Sequence, residues 1–141
     1  MKNENEMTIG SLAAKSDVTV ETVKFYEKEG LLPRPPKPIS GFRSYPEDYV
    51  SRILFIKRAQ ELGFKLREVK ELLKLKVDKK ATCDQVMKRT DEKISEVEAK
   101  IKDLRRIKRS LRQIRDCCSD GTQTLTECPI LECFQTNGGC L

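Results

Sequence analysis

The chain has 141 residues, of which 38% are hydrophobic, 35% charged and 6% aromatic, with six Cys, no Trp and no His. That size allows one ordinary domain, or a small domain with an oligomerisation element, and the lean apolar content suits a chain with a long exposed helix. No run approaches the ~20 apolar residues of a membrane span; the net charge of +6 suits a polyanionic partner; and the lack of His confines any transition-metal site to thiolate, which selects soft, thiophilic ions over Mg or Ca.

The polar start, Met1 to Glu6, carries no apolar signal region, so a cytoplasmic location with reduced thiols is expected. Met7 to Ala14 reads as a helix with Thr8 as its cap and Ile9, Leu12 and Ala13 on one face. After the polar break Ser16-Asp17-Val18-Thr19, Thr19 caps a second helix, Val20 to Glu29, closed by Gly30. Two short helices joined by a tight turn form a helix-turn-helix candidate. Phe25 reads as core, and Tyr26 as either packed or exposed to a partner.

Four prolines, Pro33, Pro35, Pro36 and Pro38, forbid a helix across the next stretch. Ser40 to Tyr45 then alternates aromatic and polar residues around a Gly, which predicts a small β-hairpin, a wing. Pro46-Glu47-Asp48 starts a helix to about Leu62, ended by Gly63, with Val50, Ile53, Leu54, Ile56 and Leu62 apolar. Leu66 to Leu75 is a fourth helix with Leu66, Val69, Leu72 and Leu73 inward, and Lys74 to Lys80 is a charged link.

Asp84 to Asp116 is an uninterrupted rod. Met87, Thr90, Ile94, Val97, Ile101 and Leu104 step by three and four, a coiled-coil seam. Ile107, Leu111 and Ile114 follow after two consecutive steps of three, a stammer that overwinds the helix locally. The narrow seam and charged flanks favour a two-helix coiled coil over a helix packed inside a bundle. The tail from Cys117 is turn-rich, with one apolar run at Cys128-Pro129-Ile130-Leu131.

Cys83, Cys118 and Cys128 bracket the rod, too far apart for a zinc finger. From Cys83 to Cys118 is 35 residues (118−83), on the order of 50 Å of helix at ~1.5 Å per residue. One chain cannot close a site across that length. If two rods pair antiparallel, Cys83 of each meets Cys118 and Cys128 of the other, giving two equivalent thiolate sites per dimer.

Thr8-Ile9-Gly10-Ser11-Leu12-Ala13, Val20-Glu21-Thr22-Val23-Lys24-Phe25-Tyr26-Glu27 and Gly30-Leu31-Leu32-Pro33 together resemble the N-terminal signature of the MerR family of transcription regulators. Gly41-Phe42-Arg43-Ser44-Tyr45 is similar to the family's first wing, and Phe55-Ile56-Lys57 with Leu62-Gly63-Phe64-Lys65-Leu66-Arg67-Glu68-Val69 to its next helix pair. The likeness runs from about Met7 to Leu131.

The resemblance implies a mainly α fold: a winged helix-turn-helix DNA-binding domain over 7–76, a linker and long antiparallel coiled-coil dimerisation helix over 77–116, and a metal-binding loop and tail over 117–141. It implies double-stranded promoter DNA, a second copy of the chain and RNA polymerase as partners, with no membrane. The helix carrying Thr22, Lys24 and Tyr26 would enter the major groove, joined by Thr19. Arg43 and Tyr45 on the wing would grip the DNA backbone. Many members carry Arg where Lys24 stands, and Lys lacks the bidentate fork, so phosphate contact is the expected role.

A Cys at the start of the dimerisation helix resembles the family's sensors of divalent ions. Zinc sensors of the family add a His and an adjacent Cys in the metal loop. Here Cys117 adjoins Cys118, but Ser119 and Gln123 occupy the loop and His is absent. Three thiolates favour Hg(II), with Cd(II), Pb(II) and Zn(II) close behind. Cys117, Cys133 and Cys140 are secondary ligand candidates. The expected function is a metal-responsive activator and repressor that distorts promoter DNA. The alternative on the same scaffold is a thiol-redox or iron–sulfur sensor. A thiol-dependent detoxifying enzyme comes last, because no base accompanies the thiols.

Overall fold

A computed structural model describes residues 6–118 and 121–135. The chain divides into two compact units, one ending at Thr90 and one beginning at Asp91. The first contains β1 (Glu6–Met7), α1 (Ile9–Lys15), α2 (Val20–Lys28), β2 (Tyr45–Pro46), α3 (Asp48–Glu61) and α4 (Leu66–Val77). A long helix, α5 (Cys83–Asp116), starts in the first unit and continues into the second, where α6 (Pro129–Gln135) follows a 3-10 turn at Leu125–Glu127.

The helix starts follow the local chemistry. The Thr8 hydroxyl accepts from the Ser11 N–H and the Thr19 hydroxyl from the Thr22 N–H, each at 3.2 Å, which satisfies donors left open in the first turns of α1 and α2. The Glu68 carboxylate accepts the Lys65 N–H at 2.6 Å and fixes the entry to α4. Between α1 and α2, Asp17 sits in the left-handed region at φ 53. Lys57 of α3 holds that turn by donating to the Asp17 carbonyl at 2.9 Å.

The first unit closes around Leu12 and Ala13 of α1, Val23 and Tyr26 of α2, Ile53 and Ile56 of α3, and Val69 and Leu73 of α4, with Leu31 and Leu32 filling the centre. Each large aliphatic side chain buried there contributes about 1.5–3 kcal/mol. On α3 the inward positions are Ile53, Ile56 and Ala59, while Leu54 and Leu62 are exposed.

Several expectations change. Met7 is not helical: β1 pairs antiparallel with β2, Glu6 opposite Pro46 and Met7 opposite Tyr45, so Pro46 belongs to a strand and not to the next helix. The expected wing hairpin over Ser40–Tyr45 is absent from this stretch. The Pro-rich segment lacks the N–H groups for a ladder, and its carbonyls are satisfied by side chains instead. Arg52 Nε donates to Leu31 O at 2.8 Å, the Tyr49 hydroxyl to Pro33 O at 2.6 Å, and Arg43 Nε to Pro35 O at 3.1 Å.

In the second unit the seam of α5 lies open in the single chain. Ile94, Val97, Ile101, Leu104, Ile107 and Leu111 are all exposed. The tail, read as turn-rich with one apolar run, contains a helix: Pro129 begins α6, where its fixed φ and missing N–H suit the first helical position.

Candidate nucleic-acid interface and thiol site

Helix α2 turns Val23 and Tyr26 inward, which leaves Glu21, Lys24, Phe25 and Lys28 exposed at i, i+3, i+4 and i+7 along the opposite face. Lys24 and Thr19 are exposed and Thr22 is half-buried, at the start of the helix. The Thr19 and Thr22 hydroxyls bond each other at 2.9 Å. This face combines cations, hydroxyls and one aromatic ring, a set suited to phosphate and base edges.

Two aromatic assignments change here, and Tyr26 takes the packed one of its two alternatives. Phe25, read as core, is 43% exposed. Tyr26 is buried and donates to Gln60 Oε1 at 2.9 Å. Tyr45 is buried and donates to Glu27 Oε1 at 2.6 Å. Both tyrosine hydroxyls are engaged within the protein. The Tyr45 phenol is pushed up to about 12, first by burial and then by the Glu27 carboxylate, so it remains a donor.

Glu27 is the residue that sequence reading missed. Its carboxylate is nearly enclosed, takes the Tyr45 hydroxyl, and pairs with Arg34 Nε at 3.4 Å. It thereby ties α2 to both ends of the Pro-rich wing segment. Its position one turn beyond Val23, on the inward side, was the available signal. Arg43 is half-buried, and its Nε is committed to Pro35 O. Its first role is to shape the wing.

Tyr45→Phe is expected to cost about 2 kcal/mol, because it strips a donor from a buried carboxylate, while Tyr26→Phe should cost about 1 kcal/mol, because Gln60 is exposed and can turn to water. Urea unfolding of the two variants checks the order.

Cys83 is the first residue of α5 and is an exposed, reduced thiol. The helix start is held by its neighbours: the Gln85 side chain accepts the Thr82 N–H at 2.9 Å. Cys117, Cys118 and Cys128 are reduced and half-buried. Cys117 Sγ donates back to Gln113 O at 3.4 Å, against the last turn of α5. Cys133 is disulfide-bonded, contrary to the expectation of reduced thiols throughout, and a disulfide sulfur offers no thiolate. Cys140 lies outside the described residues. Among the described residues of one chain, no three Cys, Asp or Glu side chains gather closely enough to hold a metal ion. No described helix is long and apolar enough to cross a membrane.

A family model described as a MerR HTH family regulatory protein matches residues 7–76, and one described as MerR, DNA binding matches residues 50–114. The chain is 41% identical over 124 residues to the mercuric resistance operon regulatory protein of Bacillus cereus, covering 88% of this chain and 93% of that protein. It is 35% identical to the HTH-type transcriptional regulator ZntR of Escherichia coli, covering 90% of this chain and 91% of that one. Its fold matches the transcription regulator PbrR691 from Ralstonia metallidurans, solved in complex with lead(II). That match has a TM-score of 0.83 and 40% identity, over 91% of this chain and 98% of that one. The chain belongs to the MerR family of DNA-binding, helix-turn-helix transcription regulators, in its heavy-metal-responsive branch.

Proposed function

We propose that this protein is a homodimeric, cytoplasmic regulator that binds promoter DNA and switches transcription when a thiophilic divalent ion, Hg(II) first among Hg, Cd, Pb and Zn, binds between the two chains. The observation that carries this is the pairing of a reduced, exposed Cys83 at the start of α5 with a seam left bare in the single chain. Charge supports an antiparallel arrangement. From Cys83 to Glu98 the helix has five carboxylates and three cations, whereas from Ala99 to Asp116 it has eight cations and two carboxylates. Antiparallel pairing sets the acidic half of one helix beside the basic half of the other, while parallel pairing sets like against like.

The donor set fits a soft ion. Cys83 of one chain with Cys118 and Cys128 of the other would hold it. Cys118 is preferred over Cys117, whose sulfur is turned back to Gln113. When bound, the ion supplies thiolate bonds that join the start of one α5 to the tail of the other. In this reading residues 7–76 bind DNA, 77–116 link and dimerise, and 117–141 complete the site. Thr19, Thr22, Lys24 and Arg43 face the duplex. The winged units then favour a distorted promoter in which the elements are realigned for RNA polymerase. That requires the ion to bind the distorting arrangement more tightly than the relaxed one.

Transcription in vitro from the protein's own promoter, titrated with Hg(II), Cd(II), Pb(II), Zn(II) and Cu(I) under thiol buffering, tests this. Activation at the lowest concentration by Hg(II) is expected, and activation by Cu(I) alone overturns the divalent-ion reading. Lys24→Ala should weaken operator binding about three- to tenfold and lower the salt slope by about one. Binding isotherms across a salt series check this, and an unchanged slope removes Lys24 from the phosphate contacts.

A further inference from the structure

A cleft of about 330 Å³ opens in the first unit where the end of α2 meets α3 and α4, lined by Gly30, Arg52, Lys70, Leu73, Lys74 and Val77. Three of the six are cations and none is an acid. Among the described residues no carboxylate lies within ion-pair distance of Arg52, Lys70 or Lys74. The neighbouring acids are engaged elsewhere: Glu71 pairs with Arg89 at 3.1 Å, and Asp78 accepts the Lys80 N–H at 2.9 Å. Gly30 keeps the cleft open, since at its φ of 75 an added Cβ would stand 3.3 Å from Lys70 Nζ. Converging cations repel one another, and an anionic occupant would relieve them. Leu73 and the 71% exposed Val77 give that occupant an apolar surface as well.

The cleft lies close in sequence to the thiol proposed to take the ion. Val77 is six residues before Cys83 (83−77), and both belong to the first unit. The Ala81 N–H donates to the Asp78 carbonyl at 3.1 Å, and that turn shortens the step below the ~20 Å of six extended residues. From Lys70 to Lys80 the chain carries five Lys against two acids. A soft ion among cellular thiols does not travel bare. It is held between the thiolates of two small carriers. Carriers that are short cysteinyl peptides bear free carboxylates, so the complex that arrives is an anion. Two tripeptides joined through the ion span ~20 Å, the scale of the step from Val77 to Cys83.

We propose that this cleft docks the anionic bis-thiolate complex in which the ion is delivered, an inference that rests on Cys83 being a ligand. The carrier's carboxylates sit among Arg52, Lys70 and Lys74, and its methylene groups cover Leu73 and Val77. The Cys83 thiolate attacks the ion. A bond forms from Cys83 Sγ to Hg, one carrier sulfur–Hg bond breaks, and the carrier leaves as a thiolate, which takes up the proton that Cys83 gave to water. The second carrier is displaced in the same way by a thiolate of the second copy. Mercury stays divalent throughout. The lysines therefore set how fast the ion is captured, while the three thiolates set how tightly it is held.

Stopped-flow transfer of Hg(II) to the native full-length homodimer, followed by thiolate-to-mercury absorption in the near ultraviolet, tests the delivery. The carriers are glutathione and its diethyl ester, which keeps the thiol and lacks both carboxylates. Lys70→Gln with Lys74→Gln should slow capture from the glutathione complex at least about fivefold and from the ester complex less than about twofold, with final Hg(II) per dimer unchanged. An equal effect on both carriers, or none on either, overturns the docking. In the metal-free protein S-methylglutathione, which has carboxylates and no thiol, should shift the amide resonances of Gly30, Lys70 and Lys74 more than inorganic phosphate does. Equal shifts reduce the cleft to a general anion site and overturn the carrier assignment. Normal final loading with equal carrier effects removes the delivery and leaves the metal reading standing. No uptake of Hg(II) from either carrier refutes both.

Discussion

With Cys83 as the proposed ligand, Cys83→Ser is expected to abolish metal-induced transcription and leave operator affinity within about twofold, because a Ser hydroxyl stays protonated at neutral pH and gives a soft ion no thiolate. The helix tolerates the change. Cys83 is exposed at the first position of α5, and the Thr82–Gln85 bond, not the thiol, secures the helix start. The DNA-facing residues of α2 are untouched. The expected signature is therefore a split: the gel-shift isotherm stays and the response to Hg(II) disappears, with at least a ~30-fold higher Hg(II) concentration for any residual activation. Full induction by the variant would sink the site assignment. A parallel loss of DNA binding would place Cys83 in the fold and not in the sensor.

The second large effect is at the seam. With Cys83 set opposite Cys118 as proposed, the middle of the rod falls between Lys100 and Ile101, so Ile101 of one copy would meet Ile101 of the other near the two-fold axis. It is 43% exposed in the single chain. Ile101→Asp would set two carboxylates against each other in the apolar seam, a cost of several kcal/mol. The variant should sediment as a monomer at micromolar concentration. Operator affinity should fall by at least ~100-fold, because the two half-sites are no longer bound by one linked molecule. The winged unit, whose core lies in α1 to α4, should keep its thermal transition. Ile101→Val, which keeps the apolar contact, should remain dimeric. A dimeric Ile101→Asp variant with wild-type affinity would show that the seam is not the interface.

The parts of the fold that were legible in the chain are those encoded within a few residues. Thr8 and Thr19 mark helix starts by accepting an N–H three residues on. Gly30 and Gly63 mark ends because their backbones adopt positive φ, 75 and 90. The rod announced itself by spacing and by the lack of any Gly or Pro. Pro129 at the start of α6 was a readable signal that the turn-like composition around it concealed. The aromatics were misread for a different reason. Phe25 and Tyr26 are adjacent and about 100° apart around α2, so either could face inward. Val23 is three residues before Tyr26, which settles the face only once the helix is known to pack through Val23.

The thiol site divides in the same way. Absence of His, the reduced state expected of all the thiols and the 35-residue interval were enough to specify thiolate ligation between two chains as the expectation. Which cysteines remain available depended on three-dimensional neighbours: Gln113 takes the Cys117 thiol, and Cys133 is oxidised.

The sequence by itself determined the order of the first five helices, the Thr8 and Thr19 caps, the apolar spacing of the seam and the family, because each is written in the spacing of residues fewer than about eight apart. Only the tertiary structure decided that Met7 pairs with Tyr45, that Tyr26 and Tyr45 serve the core, and that Arg52, Tyr49 and Arg43 close the Pro-rich segment onto its own carbonyls. Those contacts bring together groups 8 to 38 residues apart. Backbone propensity does not choose among such pairings. They are chosen by packing, which favours the arrangement that pairs most buried donors and acceptors at once.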